Sequence, residues 1–245
     1  MTPRRGPTAL VRRAARRLGF DVTRYAPHAS YRAQRIELLR HHRVDLVLDV
    51  GANIGQFATE LRVDGYRGRI VSFEPLHSVF ADLEASTADD PSWEALNMGL
   101  GAEAGRAMIN VSGNTQSSSM LPMVAAHSRA APASEYVGTE TIEVRRLDDV
   151  FGTVGAGAGA PFLKLDVQGY ERQVLDGGAA TLPHLVGLQL EASVVEMYEG
   201  ETLFPEMLRL LAGRGFALAA MTPSLVDPAS ARLLQLDAVF FRNAD

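Results

Sequence analysis

The chain contains no cysteine, one lysine (Lys164) and one tryptophan (Trp93). Without cysteine there is no disulfide, no thiolate nucleophile and no cysteine-ligated zinc or iron–sulfur centre. No run approaches the roughly 18 apolar residues that a membrane span needs. The arginine-bearing start has no apolar stretch of signal-peptide length, so the cytoplasm is the expected compartment. What is present is ordinary: 245 residues, 47% hydrophobic and 22% charged. That suits one large single-core domain or two small ones and excludes wholesale disorder.

The net charge of −5 conceals a split. Residues 1–45 hold eleven arginines and three acids (Asp21, Glu37, Asp45), a balance of +8, so the other 200 residues sum to −13. Arginine in place of lysine reflects a GC-rich genome more readily than a function. A basic arm on an acidic body can approach anionic lipid headgroups, hold an acidic ligand, or pack on the body itself, and the last is the plainest reading. Residues 8–18 put Leu10, Val11, Ala14, Ala15 and Leu18 on one helical face and the arginine pairs on the other, an amphipathic pattern. A second helix is expected over 30–42, with Ile36, Leu38 and Leu39 inward and Pro27 between the two. Residues 1–44 thus read as a basic helical appendage, and 45–245 as the main domain.

From residue 45 strands and helices alternate. Strands are expected at Leu46–Val50, Arg69–Phe73, 93–97, Phe162–Val167 and Leu185–Leu190. Helices are expected at 54–63, 76–88, 170–180 and 202–213. This predicts a largely parallel sheet covered on both faces. Phe216–Met221 and Leu234–Arg242 are joined without a helix, so they should form an antiparallel hairpin at one edge. Short strands at 106–111 and 141–147 flank a long polar segment, of the kind that is usually functional or disordered. Residues 152–161 read as surface glycine–alanine filler.

The sharpest local feature is the stretch from Leu46 to Phe57, LVLDVGANIGQF. An apolar strand runs into a glycine turn that opens a helix. Gly51 and Gly55 permit tight turning and close backbone approach, and a helix N-terminus offers unpaired N–H groups. Asn53 stands where the second glycine of G-x-G-x-x-G would be. About 20 residues on, strand RIVSF ends at Glu74 and Pro75. An acid at that strand end accepts hydrogen bonds from the two hydroxyls of a bound ribose. Asp49, Gly51, Gly55 and Glu74 therefore point to a nucleoside site. A dinucleotide needs the full glycine set to approach its pyrophosphate. S-adenosylmethionine (SAM) has no phosphate, so the variant turn favours SAM, with Asn97 placed to meet the adenine edge.

DVGANIGQF (49–57), FEP (73–75), ALNMGLG (95–101), RRLDDV (145–150) and LKLDVQGYERQVLDGG (163–178) resemble, in order and spacing, the FkbM-type SAM-dependent methyltransferases. The resemblance covers about residues 45–242, and the last block is its most specific part. It implies a Rossmann-like α/β fold with seven core strands, mostly parallel, the last two forming a reversed hairpin. It also implies O-methylation, commonly of a sugar or other hydroxyl. With the arginine bias of a GC-rich actinobacterium, the expected acceptor is a mannose- or rhamnose-containing polysaccharide or glycolipid, such as a mycobacterial methylmannose polysaccharide. No nucleic-acid partner is expected. Peripheral membrane contact through residues 1–24 and homo-oligomerisation stay open.

At the reacting end, Asp166 and Glu191 end neighbouring strands at the ligand-binding edge. Two such acids can hold a Mg²⁺-type ion through oxygen ligands, or one can act as general base. The plainer alternative is that Asp166 positions the SAM amino group and Glu191 pairs with an arginine. His127, in the long polar loop, is a further base candidate, and His77 can line the cofactor pocket. Ser117, Ser118 and Ser119 resemble a serine-rich segment of the family near SAM. Tyr198, with Glu196 and Glu199, is expected on the substrate side. A nicotinamide-dependent oxidoreductase and a non-catalytic, membrane-associated nucleoside-binding module are the rival readings.

Overall fold

The computed structural model describes residues 7–20, 22 and 30–243. Helices α1 (Pro7–Arg17) and α2 (Tyr31–His41) lead the chain and match the two helices expected there. Pro27 and the side chain of Leu10 lie outside what is described. Then β1 (Leu46–Val50), α3 (Gln56–Val63), β2 (Arg69–Phe73), α4 (His77–Thr87) and β3 (Trp93–Leu96) alternate. β4 (Gly99–Leu100), β5 (Gly105–Ser112), α5 (Ala125–Ala130) and β6 (Tyr136–Arg145) interrupt the alternation. It resumes with α6 (Leu147–Val154), β7 (Pro161–Leu165), α7 (Glu171–Gly177), β8 (Gly187–Ser193) and α8 (Phe204–Gly213), and ends in β9 (Phe216–Val226) and β10 (Leu233–Arg242). Helix α6 takes up the first residues expected as filler, because Leu147 and Val154 bury one helical face.

Seven strands form one sheet in the order β3-β2-β1-β7-β8-β10-β9. The first five are mutually parallel. β1 and β7 are buried at every position, as strands covered on both faces must be, which is why they read as continuous apolar runs. β10 is antiparallel to both β8 and β9. The hairpin therefore inserts β10 into the sheet and leaves β9 at the edge. This is the mostly parallel seven-stranded sheet with a reversed terminal pair that the resemblance implies.

One face carries Leu48, Leu163, Leu188 and Leu190 against Val174 and Leu175 of α7 and Leu211 of α8. The other carries Val47, Phe162, Val239 and Phe241 against Leu39 of α2 and Leu61 of α3. Helix α2 of the basic arm is thus part of the packed layer, with Leu39 fully buried. By contrast Val11, Leu18 and Phe20 are exposed. β4, β6 and β5 form a small second sheet. The polar segment after β5 is tied down by bridges from Asn110 to Ser119 and from Met123 to Tyr198. No helix among the described residues is long and apolar enough to cross a membrane.

Candidate active site

The first turn is set by the end of the neighbouring strand. Gly51 has φ +73, and a Cβ there would lie 1.9 Å from the Asp166 carbonyl oxygen. The glycine is demanded by the close passage of two backbones, not only by a ligand. The N–H groups of Gly51 and Ala52 both donate to the Phe73 carbonyl at 3.0 Å. Asn53 has φ +49, an uncommon conformation for a side chain other than glycine. Its N–H donates to Glu74 Oε2 at 2.9 Å, and its amide donates to Thr115 Oγ1 at 3.1 Å. Gly55 turns tightly as expected, with φ +89, and has a second part as well. A Cβ there would strike the Trp93 ring at 2.7 Å, so it serves packing.

Glu74 is the centre of the groove behind this turn. It is buried, and its two oxygens accept the N–H groups of Asn53 and Leu76, each at 2.9 Å. Burial outweighs those donors and pushes its pKa up to about 7. The groove runs from Gly51, Asn53 and Asp166 past Glu74 and Pro75 to apolar walls including Leu76, Leu100, Ile109 and Ile142. An acid flanked by an apolar slot on one side and a glycine turn on the other suits a nucleoside whose base is apolar-walled and whose ribose is hydrogen-bonded. The groove holds about 60 Å³, below the ~300–1,000 Å³ of small-molecule pockets. Beyond the main sheet, its lining comes from the small second sheet and from Thr115, Ser118 and Met120 of the polar segment.

Several expected cofactor contacts sit elsewhere. Asn97 donates to the carbonyls of Glu74 and Pro75 at 2.9 and 3.1 Å and lies outside the groove lining. Both bonds hold the turn that carries Glu74. Ser117 is buried and accepts the Asn114 amide at 3.0 Å, while Ser118 is the serine that faces the groove. Asp49 is fully buried and pairs with Lys164 Nζ at 3.0 Å. Lys164 also donates to the Gly51 carbonyl at 3.0 Å, so the pair braces the turn from beneath. Burial opposes the lysine's charge, but the carboxylates of Asp49 and Asp166 raise its pKa overall. His77 is largely exposed and paired with Glu140 on β6, away from the groove.

Asp166 and Glu191 do come together, through a residue given no role by the motifs. Gln168 Nε2 donates to Asp166 Oδ1 at 2.6 Å and to Glu191 Oε2 at 3.0 Å. Its Oε1 accepts the Tyr198 hydroxyl at 2.5 Å, and its carbonyl accepts Ser119 Oγ at 2.6 Å. A side-chain amide, not an arginine, thus spans the gap where a cation was expected. Among the described residues no group of three or more His, Asp and Glu is placed to hold a metal. Glu191 also accepts the Gln235 amide at 3.2 Å. Burial, then the nearby Asp166 and Asp237, raises its pKa well above the usual carboxyl value. Tyr198 is fully buried, which removes it from the substrate side. His127 is buried on α5, edge-on to Tyr198 at 5.1 Å, with its pKa lowered by burial. It lies in the core and not over the site.

A second cleft of about 810 Å³ opens beside the groove and shares Gly51, Asn53, Gln116 and Asp166 with it. Its walls include Phe57, Lys164, Gln189, Asp237 and, from α2, Arg32 and Arg35. Phe57 lines this cleft, not the cofactor groove, with the Arg35 guanidinium 4.8 Å from its ring centre. Glu60 on α3 is held by Arg32 at 2.7 Å and Arg35 at 2.6 Å. Gln168, Asp237 and Arg35 escaped the motif reading. Only Asp237 left a visible signal, a lone acid inside the apolar run LQLDAVFF.

Fold and site suit an α/β methyltransferase, and the family comparison shows that class. The family model described as methyltransferase FkbM domain matches residues 49–218. The curated protein "Methyltransferase 1" of Beauveria bassiana is 25% identical over 193 residues, 74% of this chain and 76% of that protein. Among solved structures, an rRNA methylase from Streptococcus thermophilus aligns at TM-score 0.48 and 12% identity, covering 91% of this chain and 100% of that one. Magnesium protoporphyrin IX methyltransferase from Synechocystis with bound SAM aligns at 0.46 and 10%, covering 98% and 93%. LepI in complex with SAM aligns at 0.44 and 14%, over 97% of this chain, which spans about half of LepI at 53%. The chain belongs to the FkbM methyltransferase family. It is a SAM-dependent methyltransferase, which decides against the oxidoreductase and the non-catalytic module.

Proposed function

We propose that this chain methylates a hydroxyl of a sugar in a polysaccharide or glycolipid, with mannose- or rhamnose-containing glycans as the first acceptors to try. The observation that carries the reading is the cleft that meets the cofactor groove at Asp166. It gathers the polar side chains of Gln189, Asp237 and Arg35 beside the Phe57 ring, over which Arg35 and Lys164 lie, a combination suited to a polyhydroxylated ligand. Bound SAM supplies an electrophilic methyl group on a sulfonium. Glu74 would hold the ribose hydroxyls, Asp166 the ammonium group, and Leu76, Leu100 and Ile142 the adenine. The protein's contribution is then largely orientation, since a displacement at carbon requires the acceptor oxygen in line with the leaving sulfur. Incubation with methyl-labelled SAM and a panel of defined mannosides, rhamnosides and other glycosides tests the reading. Label in a glycoside ether supports it, and label only in non-carbohydrate hydroxyls or amines overturns it.

The basic arm supports a second, independent expectation, contact with an anionic membrane surface. Arg12, Arg13 and Arg17 flank exposed Val11, Leu18 and Phe20, a pairing of charge and apolar area that favours acidic lipid. Co-sedimentation with phosphatidylglycerol vesicles, lost on deleting residues 1–24, would support it. Equal binding to neutral vesicles would not.

A further inference from the structure

We propose that Asp237 is the general base that takes the proton from the acceptor hydroxyl, and that Gln189 receives a second hydroxyl of the same acceptor; this rests on the hydroxyl-methylation reading above. The motif reading spread the base among Asp166, Glu191 and His127, and the geometry releases all three. His127 is packed in the core against Tyr198. Glu191 accepts the amides of Gln168 and Gln235 and lines neither the groove nor the cleft. Asp166 lines both, but one oxygen holds Gln168 and the other faces Lys164 Nζ at 3.8 Å. That leaves it suited to an ammonium group at the junction, not to proton removal.

Asp237 differs from each of them. It stands on β10 directly opposite Glu191 in register, and it lines the acceptor cleft with Lys164 and Gln189. Among the described residues no side-chain hydrogen bond reaches its carboxylate. Gln189, on the neighbouring strand, lines the same cleft, and its buried Oε1 has no hydrogen-bond partner. A buried polar atom without a partner, as at Gln189, is unusual, and the Asp237 carboxylate beside it is partly open to the cleft. A ligand offering two O–H donors completes both, and a sugar diol is such a ligand. Glu60, the other acid of the cleft, is already claimed by Arg32 and Arg35.

The titratable groups facing Asp237 are Lys164 on β7 and Asp166 just after it, Arg35 and the buried Tyr31 hydroxyl on α2, Glu60 on α3 and Glu191 on β8. Burial, then Asp166, pushes its pKa up to about 6 against Lys164 and Arg35, the range that suits a base near neutrality. In the step, the hydroxyl oxygen forms a bond to the methyl carbon. The carbon–sulfur bond breaks with its electron pair on sulfur, leaving a neutral thioether. The hydroxyl proton passes to Asp237 and from there to solvent through the open cleft.

The test compares wild type with Asp237→Asn in SAM calorimetry and in labelled methyl transfer to methyl α-mannopyranoside and methyl α-rhamnopyranoside from pH 5 to 9. The variant should bind SAM within about twofold of wild type and unfold no earlier at pH 8. Transfer should fall about 100-fold or more, the usual worth of a positioned base, and the acid limb of the rate profile near pH 6 should vanish. Gln189→Leu should raise the glycoside KM and leave kcat nearly unchanged. A variant at Asp237 that keeps more than about a tenth of the activity, or keeps the acid limb, overturns the assignment. A wild-type protein that binds SAM and methylates no sugar hydroxyl across the glycoside panel overturns the acceptor reading, and the role of Asp237 with it.

Discussion

The backbone N–H of Asn53 donates to the carboxylate of Glu74 at 2.9 Å, so the first glycine turn and the end of the second strand are locked to each other before any nucleoside enters. Two short motifs 21 residues apart thereby become one surface. The partner of Glu74 on its other side, the Leu76 N–H, holds the carboxylate facing along the groove.

Glu74→Gln should weaken SAM binding by about 1.5–3 kcal/mol, the worth of hydrogen bonds to a charged group, measured by calorimetry. In the wild type the pKa of Glu74 is raised to about 7 by burial. Ribose hydroxyls need the ionised acceptor, so SAM affinity should rise as pH climbs through 7 and then level off. Affinity that is flat from pH 6 to 8 would show that Glu74 does not hold the ribose.

Gly51→Ala should be far more damaging than its size suggests. The new Cβ would sit 1.9 Å from a backbone oxygen at φ +73, and neither backbone can yield without moving β1 or β7. A loss of about 3 kcal/mol or more in urea unfolding is expected, in the range of strained or overpacked core positions. A loss under about 1 kcal/mol would mean that the turn is pliable.

Raised carboxyl pKa values also set the pH dependence of stability. Asp237, Glu74 and Glu171 titrate at about 6, 7 and 8 in the fold, each raised chiefly by burial, against about 4 when unfolded. Their favourable contribution is complete below the unfolded value and is lost as pH rises through the folded values. The melting temperature should therefore fall between pH 5 and pH 8.5, and Glu171→Gln should flatten that fall. A melting temperature that rises over this interval would contradict these assignments.

Gln168→Ala removes the amide shared by Asp166 and Glu191 and leaves the buried Tyr198 hydroxyl without its side-chain acceptor. Unsatisfied buried groups cost ~1–3 kcal/mol each, so thermal unfolding should come several degrees lower. Because the amide spans these acids in the wild type, millimolar Mg²⁺ should leave its melting curve in place and EDTA should leave methyl transfer intact. Abolition of transfer by EDTA, restored by Mg²⁺, would show that a cation displaces Gln168.

The order of elements, the parallel sheet with its reversed end, the turn at Gly51 and the acid at Glu74 were all legible in the sequence. Each depends on a local signal: apolar runs of strand length, glycine at a turn, an acid at a strand end. The assignments that changed depend on distance through the fold. Gly55 and Asn97 keep their motif positions, but what they touch is Trp93 and the carbonyls of residues 74 and 75. Gln168 bridges two strand ends only because β7 and β8 are neighbours. His127 reads as a loop histidine and is buried, because the segment around it folds down onto Tyr198. Asp237 comes last of all. It lies 71 residues beyond Asp166 in the chain, and it reaches the site because β10 inserts antiparallel beside β8. No local pattern encodes that pairing; it follows from the hydrogen-bond register of the assembled sheet.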